Sequence, residues 1–371
     1  MPNSRIADVV VIGGGIHGCS AALHMAGRGL KVTVLEKDHV ARHASGVNAG
    51  GVRRLGRDPA ELPVAQAAWE LWQDMPALVD DECGYRQSRY LKVARTEAEL
   101  ETARARVAEL NALGFFHEEV IDRDSLRDFL PAAAEHCTGA IHVDGDGSAL
   151  PFRTTIAFKR RAEAVGVTVL EETPVTAVAR RGGNWQVISA AGTFEAPILV
   201  NTAGAWGRQL ASWLGDEVPL EAHAPMLVIT QRMPRFVEPV VGALGAALSF
   251  KQFENGTVLI GGGVRGTAFP DENRTRLDMA GLASFLETAR DIFPIMRGAN
   301  IVRAWAGIEG YTPDNLPVIS RGSADGVVHA FGFSAHGFQL APAVGGIVAH
   351  LAMGEIPNLP IEPFSVDRFA V

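Results

Sequence analysis

One short stretch near the N-terminus limits the fold of this chain more than any other. Ala7 to Ile12 reads ADVVVI, a β-branched apolar run suited to a strand buried on both faces of a parallel sheet. Gly13-Gly14-Gly15-Ile16-His17-Gly18 follows, then CSAALHMAGRG, an Ala- and Leu-rich stretch that reads as a helix stopping near Gly29. Lys31 to Leu35 (KVTVL) is a second strand, and Glu36 stands at its end. Strand, glycine turn, helix, strand and acid make a complete βαβ unit. Gly13 permits the tight turn, Gly15 lets the backbone approach a pyrophosphate, and Gly18 lets the helix pack closely. The anion then meets the helix N-terminus, where free N–H groups and the dipole favour negative charge. Glu36, about 20 residues on, can accept ribose hydroxyls and would repel a 2′-phosphate. The pattern implies a bound dinucleotide without separating NAD from FAD.

The remaining length matters next. At 371 residues the chain can build two packed domains. Its 34 basic and 42 acidic residues give a net charge of −8, with no basic block, which argues against a nucleic-acid partner. Cys19, Cys83 and Cys137 are few, odd in number and far apart, so neither a disulfide framework nor a metal site is expected. No apolar run is long enough to span a membrane and no secretory leader is evident, so a cytoplasmic address is expected. Glycines cluster at 13–18, 50–51, 261–266 and 345–346, as where backbone closely approaches a ligand.

Further along, residues 39–58 read as a loop, and 60–80, 97–113 and 152–165 as helices. Strands are expected at 167–171, 175–180, 185–189, 193–195 and 197–200, with an Ala191-Gly192 turn between the third and fourth. Residues 220–265 are strand-rich and 279–291 helical. A strand at 327–331 leads into a helix near 342–353, with Pro342 in its first turn. Strand and helix alternate at both ends of the chain. One nucleotide-binding domain built from separated segments follows, with a more antiparallel domain between them.

Five segments together are more specific than the glycine motif: VVIGGGIHG with Glu36; ASGVNAGGVR at 44–53; PVTAV at 174–178; VNTAGAW at 200–206; and WAGIEGYTPDNLPVI with GFSAHGFQLAPAVGG at 305–319 and 332–346. On these the chain resembles the D-amino acid oxidase family of flavoenzymes, in its glycine oxidase and sarcosine oxidase branch. The resemblance implies an α/β fold with a Rossmann-type FAD-binding domain and a second α+β substrate domain on a mainly antiparallel sheet. The FAD-binding domain would take 1–80, 146–218 and 301–371, and the substrate domain 81–145 and 219–300. It implies cofactor contacts at Gly13, Gly15, Ile16, His17, Gly18, Glu36 and Lys37. Ala44, Ser45, Asn48, Ala49, Gly50, Gly51 and Val52 would line the pyrophosphate and isoalloxazine. Val175 would hold the adenine. Thr202, Ala203, Gly204 and Trp206 would pass the ribose and pyrophosphate. Gly337, Phe338, Gln339 and Leu340 would lie beside the flavin pyrimidine edge. Gly307 stands about where one branch uses a cysteine to attach flavin, so non-covalent FAD is expected.

The chain also departs from that family. The glycine oxidase pattern has arginines where this sequence has Glu309 and Ala335. The sarcosine oxidase pattern has a lysine at the place of Gln339 and an oxygen-activating lysine near Leu259. A carboxylate in a dry pocket needs a paired cation. The candidates are Arg53, Arg57, Lys251, Arg265 and Arg303; Arg53 comes first because it follows the Gly50-Gly51 turn. Glu309 either meets a cationic part of the substrate or is a structural carboxylate. His336 is either a base or flavin hydrogen-bond partner, or a packed neutral imidazole. Glu309 with GFQL looks more like the smaller catalytic subunits of opine, hydroxyproline or proline dehydrogenases.

The expected reaction is hydride transfer from the carbon next to an amine nitrogen, giving an imine that hydrolyses. The substrate would be a small amine or amino acid, of secondary-amine or D-amino acid type. Oxygen or a partner subunit would accept the electrons. An FAD-dependent module acting on a macromolecule such as RNA is the alternative of another class, disfavoured by the acidic charge.

Overall fold

The computed structural model describes residues 5–370. The βαβ unit forms, as strand Val9–Ile12, helix Ile16–Ala26 and strand Val32–Leu35, with the helix beginning inside the glycine motif rather than after Gly18. The two-residue period of a strand sends Val9 and Val11 into one apolar cluster and Val10 and Ile12 into another. Both faces are covered, which is why this strand carries no polar residue.

A six-stranded sheet grows around it, in the order 318–321, 327–331, 198–201, 9–12, 32–35, 168–170. All neighbours are parallel except the edge strand Val318–Arg321. Three distant stretches of chain therefore build one sheet. Helices Ile16–Ala26, Leu62–Trp72, Pro151–Ala164 and Gly337–Ala352 supply the core on one face. On the other, Val10, Ile12 and Leu35 pack against Trp185, Val187 and Phe194 of a small four-stranded sheet.

The second sheet has twelve strands and is mainly antiparallel. It collects Arg86–Ala94, Glu119–Asp122 and Gly139–Ser148, all the strands between 221 and 311, and Gly51–Val52 at one edge. Its one parallel pairing joins Val240–Ala243 to Arg86–Ala94. Helix Met279–Ile292 closes its apolar face over Phe250 and Phe293, whose rings stack 4.7 Å apart. Ile301–Ala306 and Glu309–Tyr311 pair with Glu221–Thr230, so the chain after 300 begins in this larger sheet.

Several local expectations are corrected. The 60–80 helix is two, Leu62–Trp72 and Met75–Val79, because Asp74 leaves helical geometry and caps the second through Ala77 N–H. The 39–58 loop holds a short helix, Ala44–Val47, and the strand Gly51–Val52. Residues 190–191 make the turn expected at Ala191-Gly192, since Ser189 pairs with Gly192. The helix expected from 342 starts at Gly337, which places Pro342 inside it. Proline there gives no N–H to the carbonyl one turn back. Strands 86–94 and 139–148 escape the pattern because arginines and glycines interrupt their apolar alternation.

Candidate functional site

The C-terminal ends of strands Val9–Ile12, Val32–Leu35 and Ile198–Asn201 open into a cleft of about 570 Å³ that runs toward the larger sheet. Ligands of doubly wound sheets bind at this edge. Most residues singled out from the sequence line it: Gly13, Gly15, Ile16, His17, Glu36, Lys37, Ala44, Ser45, Asn48, Ala49, Gly50, Gly51, Val175, Thr202, Ala203, Gly204, Trp206, Gly307, Gly337 and Phe338. Arg53, Glu309 and His336 line it as well. Gly18, Val52, Lys251, Gln339 and Leu340 are not part of its wall. Val52 and Leu340 are core residues.

The glycine turn is shaped by close approach. Gly13 sits at φ +106°, and a Cβ there would stand 2.4 Å from the Thr202 carbonyl oxygen. A Cβ on Gly18 would stand 1.9 Å from the Gly13 carbonyl oxygen, so Gly18 seats the helix under the turn rather than facing the cleft. Gly15, at the N-cap, has no side chain to offer the helix; instead Ile16 N–H donates to Ser45 Oγ at 3.0 Å from the neighbouring loop. The other first-turn donors stay available to an anion. Glu36 is buried and accepts Gly14 N–H at 2.7 Å and Asp38 N–H at 2.9 Å. Burial raises its carboxyl above the usual range against the pull of those two donors. Lys37 lies 4.0 Å from the Trp206 ring centroid and donates to Asn273 Oδ1 at 2.8 Å. That contact ties the acidic strand end to the far sheet. His17 stacks flat on Phe333, centroids 3.6 Å apart, and burial holds it neutral with a pKa near 3.

The loop 44–51 forms the opposite wall. Asn48 Nδ2 donates to the Ala44 carbonyl at 2.8 Å, while its Oδ1 accepts Gly50 N–H at 2.7 Å. Trp305 Nε1 donates to the Val47 carbonyl at 2.9 Å and fixes the loop from the larger sheet. A second helix N-terminus, at Gly337, enters the cleft with no side-chain cap. It is reached through Ser334 and Ala335, two non-glycine residues held at φ +49° and +68°. A glycine cradle, an uncapped helix, an acid at a strand end and a second helix N-terminus fit a flavin dinucleotide.

Behind the Gly337 end lies a buried charge cluster. Arg57 is 2% and Glu61 0% exposed. Arg57 Nη1 is 3.8 Å from Glu61 Oε2, and His336 Nδ1 is 2.8 Å from the same oxygen. Arg57 Nη2 also donates to Gln339 Oε1 at 3.0 Å and to the His336 carbonyl at 3.2 Å. Gln339 is thus a support for Arg57 and, through its Nε2, for the Ala65 carbonyl. Burial pushes Glu61 up, but His336 and Arg57 outweigh it and hold the carboxyl below its usual range. Burial takes His336 down to about 4, so its imidazole is neutral at pH 7. Arg57 and Glu61 stand four apart, which reads in sequence as a surface pair.

Two further titratable groups stand apart. Lys251 is buried, has no ion pair among the described residues, and sits behind Gly50, 3.1 Å from where a Cβ would stand. Burial draws its ammonium down to about 7. It pairs in register with Leu259, so it emerges on the same sheet face as that residue. A folded pKa below the unfolded one means the charge opposes folding below pH 7, and that cost fades as pH rises toward the ordinary lysine value. Lys251→Met is expected to raise stability at pH 6 by roughly 1–4 kcal/mol. Melting curves at pH 6 and pH 9 should show the gain shrinking at the higher pH; an equal gain at both would contradict it.

Glu309 accepts Ala335 N–H at 2.8 Å, with Arg265 and Tyr311 beside it. Burial pushes its carboxyl up to about 7 against those partners. Glu309 is therefore largely neutral below pH 7 and charged above. If it meets a cationic part of the substrate, kcat/KM rises through a limb near pH 7. Glu309→Gln should remove that limb and leave the substrate amine's own ionisation.

Sequence reasoning missed Tyr90, Lys92 and Glu61 as site residues. Tyr90 and Lys92 line the cleft, while Leu91 and Val93 face the core beneath the larger sheet. That two-residue alternation was the available signal. Burial and the cations Arg53 and Arg106 pull Lys92 down to about 8.

Comparisons with known proteins agree with this geometry. The family model described as FAD dependent oxidoreductase (DAO) matches residues 8–351. Glycine oxidase from Bacillus licheniformis is 27% identical over 97% of this chain and 97% of that protein. Sarcosine oxidase subunit beta from Rhizobium meliloti is 24% identical, covering 98% and 88%. The crystal structure of L-proline dehydrogenase from P. horikoshii superposes with a TM-score of 0.90 at 28% identity, covering 99% of this chain and 98% of that one. The chain belongs to the DAO family and is an FAD-dependent oxidoreductase.

Proposed function

We propose that this enzyme oxidises a small amine or amino acid at the carbon next to nitrogen. The observation that carries the reading is the cleft itself. One opening joins the dinucleotide turn, the 44–51 loop and a set of polar groups facing them: Arg53, Glu309 and Lys92. Relatives include a glycine oxidase and a sarcosine oxidase subunit, whose names state amine substrates.

In this reading segments 1–80, 146–218 and 301–371 hold FAD and 81–145 with 219–300 shape the substrate end. The bound flavin supplies a hydride acceptor. The chain's residues do the rest. Gly13, Gly15 and the Ile16 helix end receive the pyrophosphate, Glu36 and Lys37 the ribose side, and Val175 the adenine. Gly337 and Phe338 present backbone donors to the flavin's pyrimidine edge. Arg53 anchors the substrate carboxylate and the cleft walls exclude water, which orients the reacting carbon. His336, neutral and held at Glu61, keeps the helix entry in place rather than taking a proton. The amine must arrive without its proton, so activity rises with pH.

Oxygen is the favoured acceptor, because Lys251 comes from the strand beside Leu259 and reaches the back of the Gly50 loop. The second reading, transfer to a partner subunit, is supported by the subunit among the relatives. Among the described residues no helix is long and apolar enough to cross a membrane. Three buried free cysteines support a reducing, cytoplasmic location.

The test is an anaerobic titration of the purified yellow protein with glycine, sarcosine, proline and D-amino acids. Bleaching of the flavin band by one of them supports the reading, and admitting air then separates oxygen from a partner. A flavin band that no amine bleaches would sink it.

A further inference from the structure

The cleft holds more positive charge than one carboxylate needs. Around Gly56, four cations converge: Arg53, Arg57, Lys92 and Arg106. Two are matched. Arg57 faces Glu61 at 3.8 Å, and Arg106 holds Glu118 through two nitrogens at 2.7 and 2.8 Å. The other two, Arg53 and Lys92, make no ion pair within 4 Å among the described residues; Glu61 and Glu118 act on them only from farther away, and both cations line the cleft. They are also close to each other. Lys92 Nζ lies 2.4 Å, and Arg53 Nη1 3.7 Å, from the point where a Cβ on Gly56 would stand. Arg53 spends Nη1 on the Leu55 carbonyl, which leaves its remaining nitrogens for a ligand.

The surroundings hold this pair in place. Lys92 pairs with Gly242 and Ile141 on its two neighbouring strands, and neither offers it a charge. A Cβ on Gly242 would crowd the Lys92 stem at 3.3 Å, so the lysine lies along that glycine. Tyr90, two residues earlier on the same face, completes the floor. Two like charges at short range in a partly dry cleft oppose folding and each other. Such an arrangement is relieved by a ligand that brings matching negative charge.

We propose that Arg53 and Lys92 form a paired-cation subsite that takes two carboxylates of one substrate. Given the amine oxidation proposed above, on which this rests, the substrate class is a secondary amine bearing a carboxylate on each of its two substituents. One carboxylate sits on Arg53 and the other on Lys92, with the amine between them. A monocarboxylic amine would leave Lys92 unmatched and bind more weakly.

The experiment is titration calorimetry on the purified holoprotein, with acetate and succinate as probes that cannot be oxidised. Succinate should bind at least about tenfold more tightly than acetate, equivalent to about 1.4 kcal/mol. Lys92→Met should remove that preference and leave acetate binding within about twofold, while Lys92→Arg keeps it. Lys92→Arg also shows that the site still folds. Equal affinity for the two probes in the wild type, or a preference that survives Lys92→Met, overturns the proposal. The flavin titration with amines reads independently. Amines that bleach the flavin without any dicarboxylate preference would leave the oxidation standing and remove this subsite. A succinate preference that follows Lys92 in a protein that no amine reduces would keep the subsite and remove the oxidation.

Discussion

Gly18→Ala is expected to yield protein that retains no flavin. The added Cβ would stand 1.9 Å from the Gly13 carbonyl oxygen and 2.8 Å from Thr202 Oγ1. The first of these is backbone, in the turn proposed to receive the pyrophosphate, and it cannot rotate away. Thr202 is equally fixed, because its hydroxyl donates to the Gly13 carbonyl at 2.8 Å and its N–H to the Ile12 carbonyl at 2.9 Å. The helix must then lift off the turn. Its first N–H groups leave the anion position, and the uncapped N-terminus loses both its dipole advantage and its close packing. Gly29→Ala is the matched control. Gly29 sits at φ +87° with nothing within 4 Å of a new Cβ, so only backbone strain opposes it, about 1 kcal/mol. The ratio of flavin to protein absorbance after gel filtration decides the matter. It should fall toward zero for Gly18→Ala and stay at the wild-type value for Gly29→Ala. Full flavin content in Gly18→Ala would show that the turn tolerates displacement and that the cofactor is held elsewhere.

This contrast also marks what was legible in the sequence. The βαβ unit could be read because each requirement is local. A buried strand needs an apolar run, a left-handed turn needs glycine, and a close helix needs a second glycine six residues or fewer away. The helix Glu97–Ala112 was legible for the same reason, with Thr96 accepting Glu99 N–H as its cap. The three segments of the parallel sheet followed from strand–helix alternation. The substrate end was not legible, because its chemistry is assembled across sheets. Lys92 looks like a solvated charge on a broken strand pattern until Val240–Ala243 pairs beside it. Lys251 lies in SFKQ, and only register shows that it shares a face with Leu259. Glu61 reads as an ordinary acid near a helix start. Its burial under Arg57 and His336 depends on residues 275 positions downstream folding back over it. Pro342 misled for a related reason. Proline favours a first helical turn, yet here Ser20 Oγ donates to the neighbouring Ala341 carbonyl at 2.9 Å, and tertiary contact sustains the helix through the proline.

Glu61→Gln is expected to cost the fold about 3–5 kcal/mol at pH 7, because it leaves the Arg57 charge buried without its carboxylate. Arg57 is too enclosed to find water, and its hydrogen bonds to the Arg53 and His336 carbonyls and to Gln339 are neutral acceptors. Glutamine keeps the shape, so the loss reports charge rather than packing. The pH dependence carries the sign. Glu61 is held below its usual range in the folded protein, so its contribution is present above the ordinary glutamate value and is lost as pH falls through the folded one. The stability gap between wild type and Glu61→Gln should therefore be widest near neutrality and close in acid. His336 is neutral at pH 7 in both proteins, since burial already takes it to about 4 and Glu61 only moderates that. Adding Arg57→Met to Glu61→Gln should recover part of the loss, because the unmatched charge goes with the arginine. Chemical denaturation at pH 7 and pH 4 measures all three proteins. A gap that instead widens from pH 7 to pH 4 would mean that the Glu61 carboxyl is already protonated at pH 7, because over that range the unfolded chain alone would take up a proton. The cluster beside the Gly337 helix entry would then be a neutral hydrogen-bonded pair of Glu61 and His336 beside an unmatched Arg57, and that arginine would join Arg53 and Lys92 as charge awaiting a ligand.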